Sequence, residues 1–277
     1  MMHSNPDAPI LPPAQVSVAD LPETRDSLGL QPPETPASAA LDRKVLVVHQ
    51  RLCTLYHCPI PFFAERDPLS ELISSLLSHR TKNRDSAIAY QHLRQRFPSW
   101  AGVRDADEDA VRATIQSATW PEQKAPRIQA VLRRITELKG ELSLAFLANM
   151  TVPAAREWLE QLPGVGPKTS AATLLFSNLR RSALPVDSHH YRVAVRVGLI
   201  PSSASLIAAH RKLEALLPMG WDAQRVYDHH EAMMLHGQRC CFFERPACER
   251  CPVSDICDFY KAQQSNSQPA RAAGRDA

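Results

Sequence analysis

Three groups of residues in this sequence have the types and spacing to do chemistry. The first is Cys241-x6-Cys248-x2-Cys251-x5-Cys257, four thiols within 17 residues. Thiolates so close in sequence can enclose one metal centre, and an all-sulfur tetrahedral set suits zinc or an iron–sulfur cluster. Zinc sites usually show two C-x2-C pairs, whereas this segment has one. The spacing therefore leans towards a [4Fe–4S] cluster and leaves zinc open. Cys240 is spare, because adjacent cysteines do not easily ligate one cluster. Cys53 and Cys58 are expected to be core or surface thiols.

The second group is the string Leu162-Pro163-Gly164-Val165-Gly166-Pro167-Lys168-Thr169. It lies between two stretches of helical character, and Pro167 is well placed to open the second. Glycine permits positive φ and close approach of another molecule to the backbone. The N–H groups that open the following helix form an anion site, which on DNA would take a backbone phosphate and read no sequence. Lys168 falls in the first turn of that helix. Its ammonium is expected to be destabilised there, and a neutral amine is the nucleophile that a Schiff-base mechanism requires. A phosphate contact is the simpler role for the same side chain.

The third group is Val186-Asp187-Ser188-His189-His190-Tyr191-Arg192-Val193. Asp187 reads first as the N-cap of a helix running towards Gly198. Paired with Lys168, its carboxylate could take a proton from the amine or stabilise positive charge on a sugar as a base departs.

These groups are carried by a helical body. Val45, Val48, Leu52 and Leu55 recur at helical spacing, as do Leu69, Leu72, Ile73, Leu76 and Leu77. Ile128, Val131, Leu132, Ile135 and Leu138 form a third stripe, and Leu206, Leu213, Leu216 and Leu217 a fourth. Strand alternation is nearly absent, and nine glycines in 277 residues are too few for a turn-rich β fold. The body is therefore expected to be all-α, with about ten short helices.

Residues 1–43 carry eight of the 23 prolines and a net charge of −4, with no apolar periodicity. They are expected to form a disordered tail, as is the segment 261–277. The remainder, residues 44–277, carries a net charge of +7, compatible with a nucleic-acid partner. No apolar run is long enough to cross a bilayer and no export signal is evident, so a cytoplasmic, nucleoid-associated location is expected.

In that order, LPGVGPKT, VDSHHYRV and C-x6-C-x2-C-x5-C resemble the endonuclease III branch of the helix-hairpin-helix DNA glycosylases. The resemblance covers residues of about 44 to 260, and the cysteine spacing matches the family's [4Fe–4S] motif without a gap. It implies a two-domain, all-α helix-hairpin-helix glycosylase fold. One domain would be a six-helix barrel at 66–181, and the other a cluster domain built from 44–65 and 182–260. It implies catalysis by Lys168 and Asp187, and a [4Fe–4S] cluster on Cys241, Cys248, Cys251 and Cys257. DNA contacts are implied at Leu162, Gly164, Val165, Gly166, Arg80 and His189.

Relatives that only remove a base lack the hairpin lysine. Its presence implies a bifunctional glycosylase and AP lyase for oxidised pyrimidines, binding double-stranded DNA with a damaged base or abasic site, as a monomer. Some positions depart from the family pattern. Arg80 stands where the family places the glutamine that enters the gap left by the flipped base, and Asn83 stands where aspartate is common. Ala118 replaces a glycine ahead of Lys124 and Ala125. The loop from Phe242 to Ala247 is less basic than usual. These positions bear on the preferred lesion more than on the chemistry. The rival functions are an AP lyase or glycosylase for another lesion, a non-catalytic DNA-binding protein, and a zinc-stapled interaction module.

Overall fold

The computed structural model describes residues 36–267, with side chains from 39 to 266. Twelve α-helices account for most of this stretch, and no strand occurs among the described residues. Helix α1 spans Pro36–Tyr56 and therefore starts inside the segment expected to be a disordered tail, whose remaining residues lie outside the described ones. At the other end α12, Asp258–Ser267, extends beyond residue 260, the expected end of the folded body. No described helix is long and apolar enough to cross a membrane.

The chain divides into two compact units. One holds Pro61–Pro185 and Asp222–Tyr227; the other holds the described residues up to Ile60, Val186–Trp221 and Asp228 onward.

In the first unit the order is α2 (Pro68–Ser78), α3 (Asn83–Arg96), α4 (Trp100–Asp105), α5 (Glu108–Thr114), α6 (Pro121–Lys139), α7 (Val152–Glu160) and α8 (Pro167–Phe176). Helix α2 is the central element and packs on α8, α3 and α6. Its start is set by Asp67, whose carboxylate accepts from the Leu69 and Ser70 N–H groups, followed by Pro68 at the first helical position. Leu69, Leu72, Ile73, Leu76 and Leu77 are all at most 2% exposed. Burial of each contributes about 1.5–3 kcal/mol. In α6 the residues Ile128, Val131, Leu132 and Ile135 are buried as their spacing predicts, while Leu138 is 36% exposed at the helix end. Gly140, at φ +75°, then terminates α6 in the left-handed conformation that glycine tolerates best.

The second unit contains α1, α9 (Ser188–Val197), α10 (Leu206–Leu216), most of α11 (Ala223–Arg239) and α12. Val45, Val48 and Leu52 of α1 are fully buried, as is Leu213 of α10 at 1% exposure; Leu206, at the start of α10, is 47% exposed and leaves the predicted stripe. Arg51 of α1 donates to the Pro252 carbonyl and to the Asp255 carboxylate, tying α1 to the cysteine segment. Cys53 and Cys58 are joined in a disulfide rather than being separate thiols.

Candidate active site and cysteine cavity

Helices α7 and α8 form the hairpin. Thr151 caps α7 by accepting from the Ala154 N–H, and the turn closes through Leu162 N–H to Leu159 and Val165 N–H to Leu162. Leu162 and Val165 are 2% and 6% exposed, so their side chains anchor the turn in the core. Only their backbone is left to meet a ligand. Gly164 has φ +75°, and a Cβ there would stand 2.6 Å from Arg127 Cδ. The positive φ favours glycine, and any side chain here would have to displace the Arg127 side chain packed over it. Gly166 differs: a Cβ at this position would meet open space. It is the N-cap of α8 and offers no side-chain acceptor to the helix's first N–H groups.

Lys168 and Thr169 open α8 beside the end of α2. His79 Nε2 lies 2.9 Å from Thr169 Oγ1. Burial, followed by the cations of Lys168, Lys124 and Arg127, lowers the His79 pKa to about 4, so the ring is neutral at neutral pH. The His79 backbone is held by Lys124, whose ammonium donates to Leu77 O at 2.7 Å, His79 O at 2.8 Å and Thr81 Oγ1 at 2.6 Å. Three donors meet three acceptors, which satisfies carbonyls that the end of α2 leaves free. Burial, then Arg127, lowers the Lys124 pKa to about 8. Thr81 Oγ1 also accepts from the Thr119 N–H at 3.1 Å, so the segment after α2 is bound to the one before α6.

Arg80 and Trp120 stand on these two joined segments. Both adopt positive φ, +51° and +54°. Non-glycine residues in this region are uncommon and concentrate at functional sites. The Arg80 guanidinium carbon lies 5.7 Å from the Trp120 ring centre, and the tryptophan is 44% exposed. The sequence flagged Arg80 but not its aromatic partner. His79 and Arg127 were also missed; neither carries a local signal, because α2, α6 and the hairpin bring them to Lys168 only in the fold.

In the other unit Asp187 is the N-cap of α9, with Oδ1 accepting from His190 N–H at 2.7 Å. His189 packs against α11 so closely that a Cβ at Gly237 would stand 2.7 Å from His189 Cβ. Its Nδ1 lies 3.1 Å from Arg192, which also donates to the carbonyls of Gly237 and Cys241. Burial, and then the Asp187 charge, raises the pKa of Glu231 on α11 to about 7.

Cys241, Cys248, Cys251 and Cys257 line one cavity, together with Cys240 and Arg196. Arg196 donates to Cys241 Sγ at 3.4 Å and to the Phe243 carbonyl at 2.8 Å, while Cys257 Sγ donates to the Arg196 carbonyl. Burial raises the pKa of Cys248 and of Cys257, and a hydrogen bond with Cys240 raises that of Cys251. Such thiols become thiolates when a cation offsets their mutual repulsion. The donor set, four sulfurs around one cavity beside a guanidinium, fits a sulfur-ligated metal centre. His236, Cys240 and Cys251 form a second, tighter group whose ligand atoms lie within 4.8 Å of one another. Cys240, read as spare from the sequence, is therefore a possible ligand for a single ion.

Residues 73–219 match the family described as the HhH-GPD superfamily base excision DNA repair protein. This chain belongs to that superfamily. Endonuclease III of Thermotoga maritima is 30% identical over 198 residues, 71% of this chain and 85% of that protein. A provisionally named DNA glycosylase of Arabidopsis thaliana is 28% identical over 192 residues, and this chain spans only 64% of its length. The DNA glycosylase/AP lyase ROS1 of the same plant is 28% identical over 184 residues, 13% of its length. Among solved structures, a trapped endonuclease III–DNA covalent intermediate superposes with a TM-score of 0.66 at 22% identity, over 80% of this chain and 98% of that one. A thermostable thymine-DNA glycosylase gives 0.65 at 21% identity, over 82% and 99%. The all-α endonuclease III-like fold expected from the motifs is thus the fold observed. The HhH-GPD match includes the hairpin, Lys168 and Asp187, and ends before the first clustered cysteine.

Proposed function

We propose that this protein is a bifunctional DNA glycosylase and AP lyase that removes oxidised pyrimidines from double-stranded DNA. The observation that carries this reading is a lysine at the second position of a helix that opens on Gly164 and Gly166, in a chain of the base excision repair superfamily. The hairpin backbone and the first turn of α8 would hold a phosphate next to the lesion. The damaged nucleotide is turned out of the stack. Lys168 Nζ, as the free amine, bonds to C1′ as the bond from C1′ to the base breaks, and the base leaves with a proton. The sugar ring opens to an imine. Loss of a proton from C2′ then expels the 3′ phosphate by β-elimination, and water releases the enzyme from the imine. Asp187 supplies the carboxylate that takes the amine's proton or offsets charge on the sugar. Cys241, Cys248, Cys251 and Cys257 would hold a [4Fe–4S] cluster, which when bound supplies a staple for the segment 241–257.

The barrel domain at 66–181, the cluster domain, a monomeric state and a cytoplasmic, nucleoid-associated location belong to the same reading. Arg80 beside Trp120, in place of a glutamine, gives specific support to a second reading in which the same chemistry serves another lesion. A panel of duplexes tests the choice, each carrying one thymine glycol, 5-hydroxycytosine, uracil or mismatched thymine. The proposal expects strand breaks 3′ to the two oxidised pyrimidines. Breaks at uracil or mismatched thymine alone would establish the second reading, and no break on any duplex would overturn both.

A further inference from the structure

Helix α1 is tied to the cysteine segment and the helix that follows it at three points. Arg51 pairs with Asp255, and Lys44 with Asp258 at the start of α12. The third tie is Tyr56, the last residue of α1, whose hydroxyl oxygen lies 3.4 Å from Nδ1 of His236 on α11. The other ring nitrogen, Nε2, lies 3.3 Å from Cys251 Sγ. His236 is 1% exposed and lines the same cavity as the four cysteines. Its carbonyl accepts from the N–H groups of Cys240 and Cys241 at 3.0 and 2.8 Å, which fixes its backbone against the cysteine segment. With Cys241, Cys248, Cys251 and Cys257 as ligands, the imidazole stands outside the ligand set with one nitrogen on a ligand sulfur.

We propose that His236, oriented by Tyr56, donates a hydrogen bond to the Cys251 thiolate and thereby raises the reduction potential of the bound cluster. This rests on the [4Fe–4S] reading given above. A phenol hydroxyl can donate to Nδ1, and a thiolate can only accept. The neutral tautomer that satisfies both carries its proton on Nε2. The chain then runs in one direction, from the Tyr56 O–H to Nδ1 and from Nε2–H to sulfur. Outer partners of this kind fix the tautomer and orientation of a ring beside a metal centre. An N–H aimed at a ligand sulfur favours the state with more negative charge on that sulfur, which is the reduced one. Hydrogen bonds to the sulfurs are among the factors that set cluster potentials. The effect is strongest where water is excluded, and His236 is buried. Arg196 donates to Cys241, so the two donors act on different sulfurs and the loss of one leaves the other. The electron comes from an external donor, here an electrode, and no proton moves along the chain.

The test uses the full-length holoprotein, with iron analysis and an electrochemical titration of the cluster followed by electron paramagnetic resonance. His236→Leu removes the donor. Tyr56→Phe removes only the hydroxyl that orients it. His236→Gln replaces Nε2–H with an amide N–H of similar reach. Wild type and variants alike should hold about four iron atoms per chain. The potential should fall in His236→Leu by about 59 mV, a tenfold change in the ratio of reduced to oxidised cluster for one electron, and by about half as much in Tyr56→Phe. In His236→Gln it should return towards the wild-type value. An unshifted potential in iron-loaded Tyr56→Phe would overturn the proposal, and this variant decides alone if His236→Leu does not fold. A fall in His236→Gln equal to that in His236→Leu is what lost packing gives, and would also overturn it. Loss of iron from both His236 variants would make His236 a ligand and overturn its role as a donor. Wild type purified without iron would refute the cluster reading itself, and this inference with it.

Discussion

His79 Nε2 and the Thr169 hydroxyl lie 2.9 Å apart, which joins the end of α2 to the first turn of α8 at the residue after Lys168. The bond places a neutral imidazole, not a fourth cation, among Lys168, Lys124 and Arg127. The backbone that carries the proposed nucleophile is thus tied to the end of α2 through the residue that follows it.

Lys124 is the hub of that frame. Lys124→Met keeps most of the side-chain volume but strands the acceptors of Leu77, His79 and Thr81. Leaving buried carbonyls without donors should cost about 2–4 kcal/mol. Urea unfolding would measure the loss, and a midpoint unchanged from wild type would show that water replaces the ammonium.

Asp187 caps α9, and the proposed mechanism gives it a second, separable role at the sugar. Asparagine caps a helix as well as aspartate does, so Asp187→Asn should keep stability within about 0.5 kcal/mol, whereas Asp187→Ala should lose about 1 kcal/mol. Both should slow base removal by ~10²–10⁴-fold. A normal single-turnover rate in Asp187→Asn would leave Asp187 as a helix cap only.

The cysteine cavity offers two ligand sets, and substitution separates them. The proposed cluster predicts about four iron atoms per chain, lost in Cys248→Ser and retained in Cys240→Ser. The tight group of His236, Cys240 and Cys251 predicts the reverse, with one metal ion per chain. Metal analysis of the two purified variants decides between them.

His190 is completely buried and neither ring nitrogen has a partner among the described residues. Burial holds its pKa well below the ordinary 6.5. The unfolded chain therefore takes up a proton below pH 6.5 that the folded chain refuses, and stability falls as pH falls through that value. His190→Leu removes this dependence. Its stability relative to wild type should rise by up to about 1.4 kcal/mol for each pH unit below 6.5. A gap that stays constant between pH 8 and pH 5 would show that the ring is solvated.

Much of the fold was legible because its cores are helical stripes. The α2 leucines and the α6 aliphatics lie where periodicity of about 3.6 places them, and Leu138 and Leu206 escape because each sits at a helix end. The hairpin was legible from Gly164 and Gly166, and Gly164 has the positive φ that glycine adopts most readily. Much of what surrounds Lys168 was not. His79 and Arg127 are far from it in sequence, and only packing brings them close. The Cys53–Cys58 pairing escaped because a five-residue separation does not by itself distinguish a disulfide from two thiols.

The central claim is that Lys168 is the nucleophile, and the direct measurement is a borohydride trap on duplex DNA carrying one abasic site, with wild type beside Lys168→Gln. Borohydride reduces an imine between enzyme and sugar to a permanent cross-link. The account predicts a cross-linked band in wild type and none in Lys168→Gln, with the variant still binding the abasic duplex. A wild-type protein that binds the duplex and forms no cross-link, or a Lys168→Gln variant that still forms one, would contradict it.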